Sequence, residues 1–291
     1  MREDTLRQTA VTPDEEVERQ PLTVIEPLRG WLSLNLQELW DYRELLYFFV
    51  WRDLKVRYKQ TVLGFVWVLL QPLMPMIIFS VFFGLLVRVP SDNIPYPVFT
   101  YAALLPWQLF AFAFYASSQS LVNNQGLVTK VYFPRLLVPL SVILGGLIDF
   151  LIAFPLLVGM IYYYGIELTW AVLALPLFLL LTLLIALALG LWASALHVQY
   201  RDVHHIITFS TQFLMFATPI FYPASLVPDQ WRLLYGLNPM VGVVEGFRWS
   251  LLGQSQPFDP SILISVPIVV LLLIGGLLYF NRVEKTFADY L

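Results

Sequence analysis

Long apolar runs dominate this chain, and short polar stretches separate them. Segments near 62–86, 97–122, 136–164, 168–196, 206–222 and 261–280 meet or approach the roughly 20 apolar residues a helix needs to cross a bilayer core. They predict an all-α integral membrane protein with six transmembrane helices. Ahead of them, residues 43–60 read RELLYFFVWRDLKVRYKQ. On a helix, Tyr47, Val50, Trp51, Leu54 and Tyr58 form one apolar stripe, with Arg52, Lys55 and Lys59 on the opposite side. A basic helix with rings on its apolar face suits the membrane–water boundary, where cations meet anionic lipid. Arg52, Lys55, Arg57 and Lys59 are therefore candidate lipid-headgroup residues.

Residues 223–260 fit none of the spans. Pro228 opens one short helical stretch, Asn238-Pro239 breaks it, and a second stretch runs to Gly253. Each piece is too short to cross and too apolar for a simple loop. The pattern predicts a re-entrant helical hairpin between spans five and six, covered by protein because open backbone is costly in hydrocarbon. The alternative is a hairpin lying flat on the outer surface. A dipping hairpin acts as an external gate with Trp231, Tyr235, Asn238 and Pro239 at its turn, and shields Leu237 and Val244 at rest. The organisation expected is a mobile cytosolic tail (1–30), an amphipathic interfacial region (31–61) and a six-span domain (62–291).

Charge then orients the bundle. Nine of the seventeen bases precede residue 61, and Lys130, Arg135, Arg201, Arg282 and Lys285 fall in segments on the same side. Arg88, Arg232 and Arg248 fall on the other. The positive-inside rule places both termini in the cytosol. The composition agrees: 58% of the 291 residues are hydrophobic and 13% charged, against roughly 25% charged in soluble domains. With no cysteine there is neither disulfide nor thiolate chemistry. Residues 1–30 show no charged stretch followed by an apolar one, so no cleavable signal is expected. The two halves of the bundle do not match in span length or proline position, which disfavours an inverted-repeat secondary carrier.

Several strings carry a resemblance: WRDLKVRYKQTVLG (51–64), WVLLQPLMPM (67–76), LLPWQLF (104–110), KVYFPRLLVPL (130–140) and YGLNPM (235–240). In this order and spacing the chain, from about residue 31 onward, resembles the membrane subunit of ABC-2 type exporters for polysaccharides, the group handling O-antigen, capsule and teichoic acid. The N-terminal tail is longer than that family's usual start. The resemblance implies a homodimer with two copies of a separate ABC ATPase in a bacterial inner membrane. Its substrate would be a polysaccharide linked to a lipid such as undecaprenyl diphosphate. Consistently, the chain has no G-x-x-x-x-G-K-[ST] loop. ATP and magnesium are expected on the partner, with no cofactor, metal, catalytic residue or nucleic-acid partner for this chain. The alternative is an ABC-2 exporter of a drug or small lipid.

In the resembling family the first cytosolic loop holds a short coupling helix seated in a groove of the ATPase. Here that loop is NNQGLVTKVYFPR (123–135), with Val131, Tyr132 and Phe133 as apolar contact, Lys130 and Arg135 as cations, and Pro134 ending the plug. The competing reading is an inside-positive loop with interfacial aromatics. Rings at helical spacing, Trp107, Phe110 and Phe114 on span two and Phe209, Phe213 and Phe216 on span five, are candidate channel-lining residues. Aromatic faces contact sugar C–H groups without holding them tightly. Pro72 and Pro75 are expected to kink span one. Asp149 lies inside span three and needs a partner or water, though the sequence does not say which. His197, His204 and His205 invite a metal reading that adjacent histidines, pointing apart on a helix, disfavour. Arg201 and Asp202 are expected to cap the neighbouring helices or touch the ATPase.

Overall fold

The computed structural model describes residues 36–59, 64–253, 261–284 and 287. The expected tail (1–30) and the last part of the expected hairpin region (254–260) lie outside the described residues. A short α1 (Leu36–Asp41) leads into α2 (Arg43–Lys59). The first span is α3 (Gly64–Phe79), continued by a π-helical turn at Ser80–Leu86. Next come α4 (Tyr96–Asn123), the single turn α5 (Gln125–Val128), α6 (Leu137–Tyr163) and α7 (Leu175–Gln199). After them lie α8 (Val203–Phe216), α9 (Asp229–Gly236), α10 (Pro239–Leu252) and α11 (Ser261–Glu284).

Among the described residues five helical segments are long and apolar enough to cross a membrane: 66–86, 96–123, 137–163, 170–199 and 264–284. The chain is an integral membrane protein. The fifth expected span falls short. Its helix, α8, has 14 residues, roughly 21 Å at 1.5 Å per residue, against about 30 Å of hydrocarbon. Pro219 is the cause, since it lacks a donor and pushes Thr218 away from helical geometry. The Thr218 hydroxyl instead donates to the Leu214 carbonyl at 2.7 Å.

Helix α4 is the centre of the bundle, packed between α6 and α7 with α10 against it. It starts cleanly because Pro95 and Pro97 occupy positions where a helix needs no N–H. Buried rings and aliphatics of α4, α6, α7 and α10 form the main core. A second cluster gathers Phe49, Leu121, Phe133, Leu137, Phe280 and Phe287 at the α2 end of the bundle. Helix α3 has only its inner side on α4 and α6, leaving a broad apolar outer face.

Candidate functional site

Helix α2 keeps part of its predicted stripe at the surface and packs its other side into the protein. Tyr47 and Trp51 face outward, while Leu45, Leu46 and Phe49 pack into the second cluster. Arg57 and Tyr58 depart from their expected places because α2 lies against α6, and the side that meets α6 carries polar partners as well as apolar ones. The Arg57 guanidinium is paired with Asp149 Oδ2, and the Tyr58 hydroxyl donates to Asp149 Oδ1. Arg57 also sits 4.4 Å from the centre of the Phe112 ring on α4. Arg52 donates to Asp53 at 2.8 Å and, through the same nitrogen, to Asn124 Oδ1 at 2.8 Å. Two of the four headgroup candidates are thus engaged inside the protein, whereas Lys55 and Lys59 are exposed. Burial first, then the bond to Asp149, push the Tyr58 phenol above its ordinary range, so the hydroxyl remains a donor.

Asp149 opens onto a cleft of about 40 Å³ between α3, α4 and α6, lined by Gln71, Pro72, Gln108, Phe112 and Phe150 among others. That is room for a few waters and not for a sugar. Pro75 cannot donate to the Gln71 carbonyl four residues earlier. The Gln108 side chain on α4 replaces it, Nε2 donating to that carbonyl at 2.8 Å. The helix runs through both prolines, and the carbonyl that Pro75 leaves without a helical donor is taken by one side chain of a neighbouring helix.

The loop after α5 separates into a tip and its anchors. Val131 and Tyr132 are exposed, the latter 59%, and Lys130 is exposed beside them. Phe133 is buried edge-on against Phe49 at 5.5 Å. The Arg135 guanidinium donates to the Glu284 carbonyl, its backbone N–H reaches Glu284 Oε1 at 3.3 Å, and it lies 5.7 Å from the Phe287 ring. The loop holds one short helical turn, Gln125–Val128, inside the expected range, but the residues named as the contact, 130–133, lie beyond it in an irregular tip.

The two aromatic stripes have opposite fates. Phe209, Phe213 and Phe216 all lie on the exposed face of α8. Trp107, Phe110 and Phe114 are buried in the core of the bundle, Phe110 and Phe114 stacked at 5.8 Å, and offer no surface to a substrate. In loop four, Gln119 Nε2 lies 2.6 Å from His204 Nδ1, which ties α8 to α4. Asp202 occupies the N-cap of α8 but makes no capping bond with its side chain.

The hairpin is divided as well. Helix α10 is almost wholly buried among α4, α7 and α11, whereas α9 exposes Trp231, Leu234 and Leu237. Asn238 joins the two: its Oδ1 accepts from the Met240 N–H at 3.1 Å, and its Nδ2 donates to Thr218 Oγ1 at 2.9 Å. Tyr235 donates to the Tyr222 hydroxyl at 3.1 Å. Pro239 starts α10, and Gly253, at φ +64°, ends it in the left-handed conformation glycine tolerates. Sequence reasoning missed Arg248 and counted it as an external loop charge. It is fully buried, with Nη2 donating to the Ile220 carbonyl at 2.9 Å, Nε to the Phe99 carbonyl at 3.3 Å and Nη1 to Glu245 at 3.0 Å.

The shielding expected for the hairpin turn needs correcting on the same grounds. Leu237 is 53% exposed and Val244 is 0% exposed. Because the chain has no native cysteine, Leu237→Cys should react at once with a water-soluble maleimide and Val244→Cys should stay protected in the resting protein. Equal labelling of both would contradict the burial of α10.

The sequence pattern described as ABC-2 type transporter matches residues 44–252, and the chain belongs to that family. It is 33% identical over 254 residues to the O-antigen export system permease protein RfbA of Myxococcus xanthus, covering 86% of this chain and 96% of the relative. It is 30% identical over 263 residues to the protein of the same name from Klebsiella pneumoniae, covering 89% and 98%. It is 27% identical over 248 residues to the polysialic acid transport protein KpsM of Escherichia coli, covering 80% and 91%.

Proposed function

We propose that this chain is the channel-forming subunit of an exporter that moves a lipid-linked polysaccharide of O-antigen type across a bacterial inner membrane. ATP hydrolysis is supplied by two copies of a separate ABC ATPase. Two copies of this chain form the channel, with both termini in the cytosol. The observation that carries the reading is the near end-to-end match to O-antigen export permeases, 96–98% of their length. The geometry supports it: the exposed ring face of α8 offers Phe209, Phe213 and Phe216 to a partner protomer or to a sliding polymer. The exposed Lys130–Tyr132 tip is a contact of the right kind for an ATPase groove.

The test is reconstitution with an ABC ATPase from the same bacterium. The purified chain alone should hydrolyse no ATP. Co-expression with that ATPase in a strain lacking its own exporter should move lipid-linked polymer to the outer face, as scored by surface antibody. Polymer that stays inside while a hydrophobic drug or short lipid is expelled would replace this reading with the small-substrate one.

A further inference from the structure

We infer that α2 is a transmission rod joining the exposed loop after α5 to the proline-containing stretch of the first span, with Asp149 as its joint. The inference rests on the exporter reading.

At one end α2 grips the loop on both sides of its tip. Asn124, before the tip, accepts from Arg52 at 2.8 Å, and Phe133, after it, meets Phe49 at 5.5 Å. A push on Lys130–Tyr132 therefore reaches α2 through one hydrogen bond and one buried ring pair. From Phe49 to Arg57 the helix is continuous, a rise of roughly 12 Å. At the other end, consecutive residues Arg57 and Tyr58 take the two oxygens of Asp149, and Arg57 also covers Phe112. The fit is close. A Cβ on Gly145 would come 3.8 Å from the Arg57 guanidinium, and one on Gly146 would meet the Phe112 ring at 2.8 Å.

Asp149 shares its cleft with Gln71, Pro72 and Gln108. The bond from Gln108 to the Gln71 carbonyl is what closes the gap left by Pro75. Motion of the Arg57–Asp149 joint thus acts beside the stretch of α3 where Pro75 removes a helical hydrogen bond. A partly buried ion pair is a poor choice for stability alone, because desolvation offsets its attraction. It does fix the angle and register of two helices, which is what a lever needs. Direct contacts run from the loop to Asp149, which then shares a cleft with Gln71 and Gln108.

The experiment uses the full complex with its ATPase, reading ATP turnover and polymer export together. Asp149→Asn, Arg57→Gln, the double variant and the conservative Tyr58→Phe are compared with wild type. Expected are normal assembly and near-normal hydrolysis, with export per ATP down about tenfold in each of the first two, a typical scale for coupling between two sites. The double variant should be no worse than the worse single, and Tyr58→Phe should be intermediate. Unchanged export per ATP in Asp149→Asn and Tyr58→Phe overturns the joint. So does a loss of assembly that lowers hydrolysis and export in proportion, since that marks a purely structural pair. Should the wild-type complex itself export no polymer, it is the exporter reading that fails; wild-type export with unaffected variants removes the joint alone.

Discussion

Arg248→Ala is expected to be the most damaging single substitution in the bundle, costing about 3–5 kcal/mol of stability, as breaking a buried, hydrogen-bonded charge pair does. Arg248 is 0% exposed. Its guanidinium donates to two backbone carbonyls, Phe99 on α4 and Ile220 in the segment after α8, and to Glu245 one turn earlier on α10. It also stacks 3.5 Å from the centre of the Phe99 ring. Those bonds matter because Pro219 breaks the helix there, leaving carbonyls with no helical donor. Tyr96 supplies another, its hydroxyl donating to the Phe221 carbonyl at 2.8 Å. Alanine removes three donors and opens a cavity. Arg248→Lys keeps a charge but loses the fork, so an intermediate loss is expected. The measurement is the midpoint of thermal unfolding in detergent, followed by a fluorescent size-exclusion trace. An alanine variant as stable as wild type would refute the clamp.

Gly246→Ala is expected to cost about 1–3 kcal/mol, the range for overpacking a filled core. A Cβ at Gly246 would lie 2.2–2.5 Å from three atoms of the Phe178 ring. That ring is 2% exposed and has Trp249 beside it at 6.5 Å between centroids, so it has little room to retreat. A methyl group is therefore expected to push α10 away from α7. The check is a double-mutant cycle: Phe178→Leu, harmful alone, should become a partial rescue when combined with Gly246→Ala. Strict additivity would show that the contact is relieved elsewhere.

The face of α2 was the least legible part of the site. Tyr, Trp and Arg are amphipathic, so a stripe that suits a lipid interface also suits protein packing. The sequence placed Tyr47, Trp51 and Tyr58 together on one stripe at the membrane–water boundary, whereas the structure leaves Tyr47 and Trp51 exposed, buries Phe49 and directs Arg57 and Tyr58 to Asp149. Asp149 was visible as an acid in need of a partner, but the partners lie 91 and 92 residues away in the chain. Trp107, Phe110 and Phe114 failed as channel candidates for a related reason. Helix α4 is apolar nearly all round, and in a membrane protein such periodicity does not separate lipid, channel and core.

What the sequence determined by itself is whatever depends on length, composition and local backbone chemistry. Five apolar runs were long enough to span because hydrocarbon thickness sets the length of a helix. Pro72 and Pro75 marked where α3 lacks helical donors, and Asn238-Pro239 and Gly253 bounded α10, because capping and φ restrictions act within a few residues. Only the tertiary structure decided that α10 is buried in the bundle with Arg248 inside it, and that α2 turns Arg57 and Tyr58 onto Asp149 of α6. Those outcomes depend on pairings between distant segments, where a buried charge or a broken helix is tolerable only because another helix brings its partner.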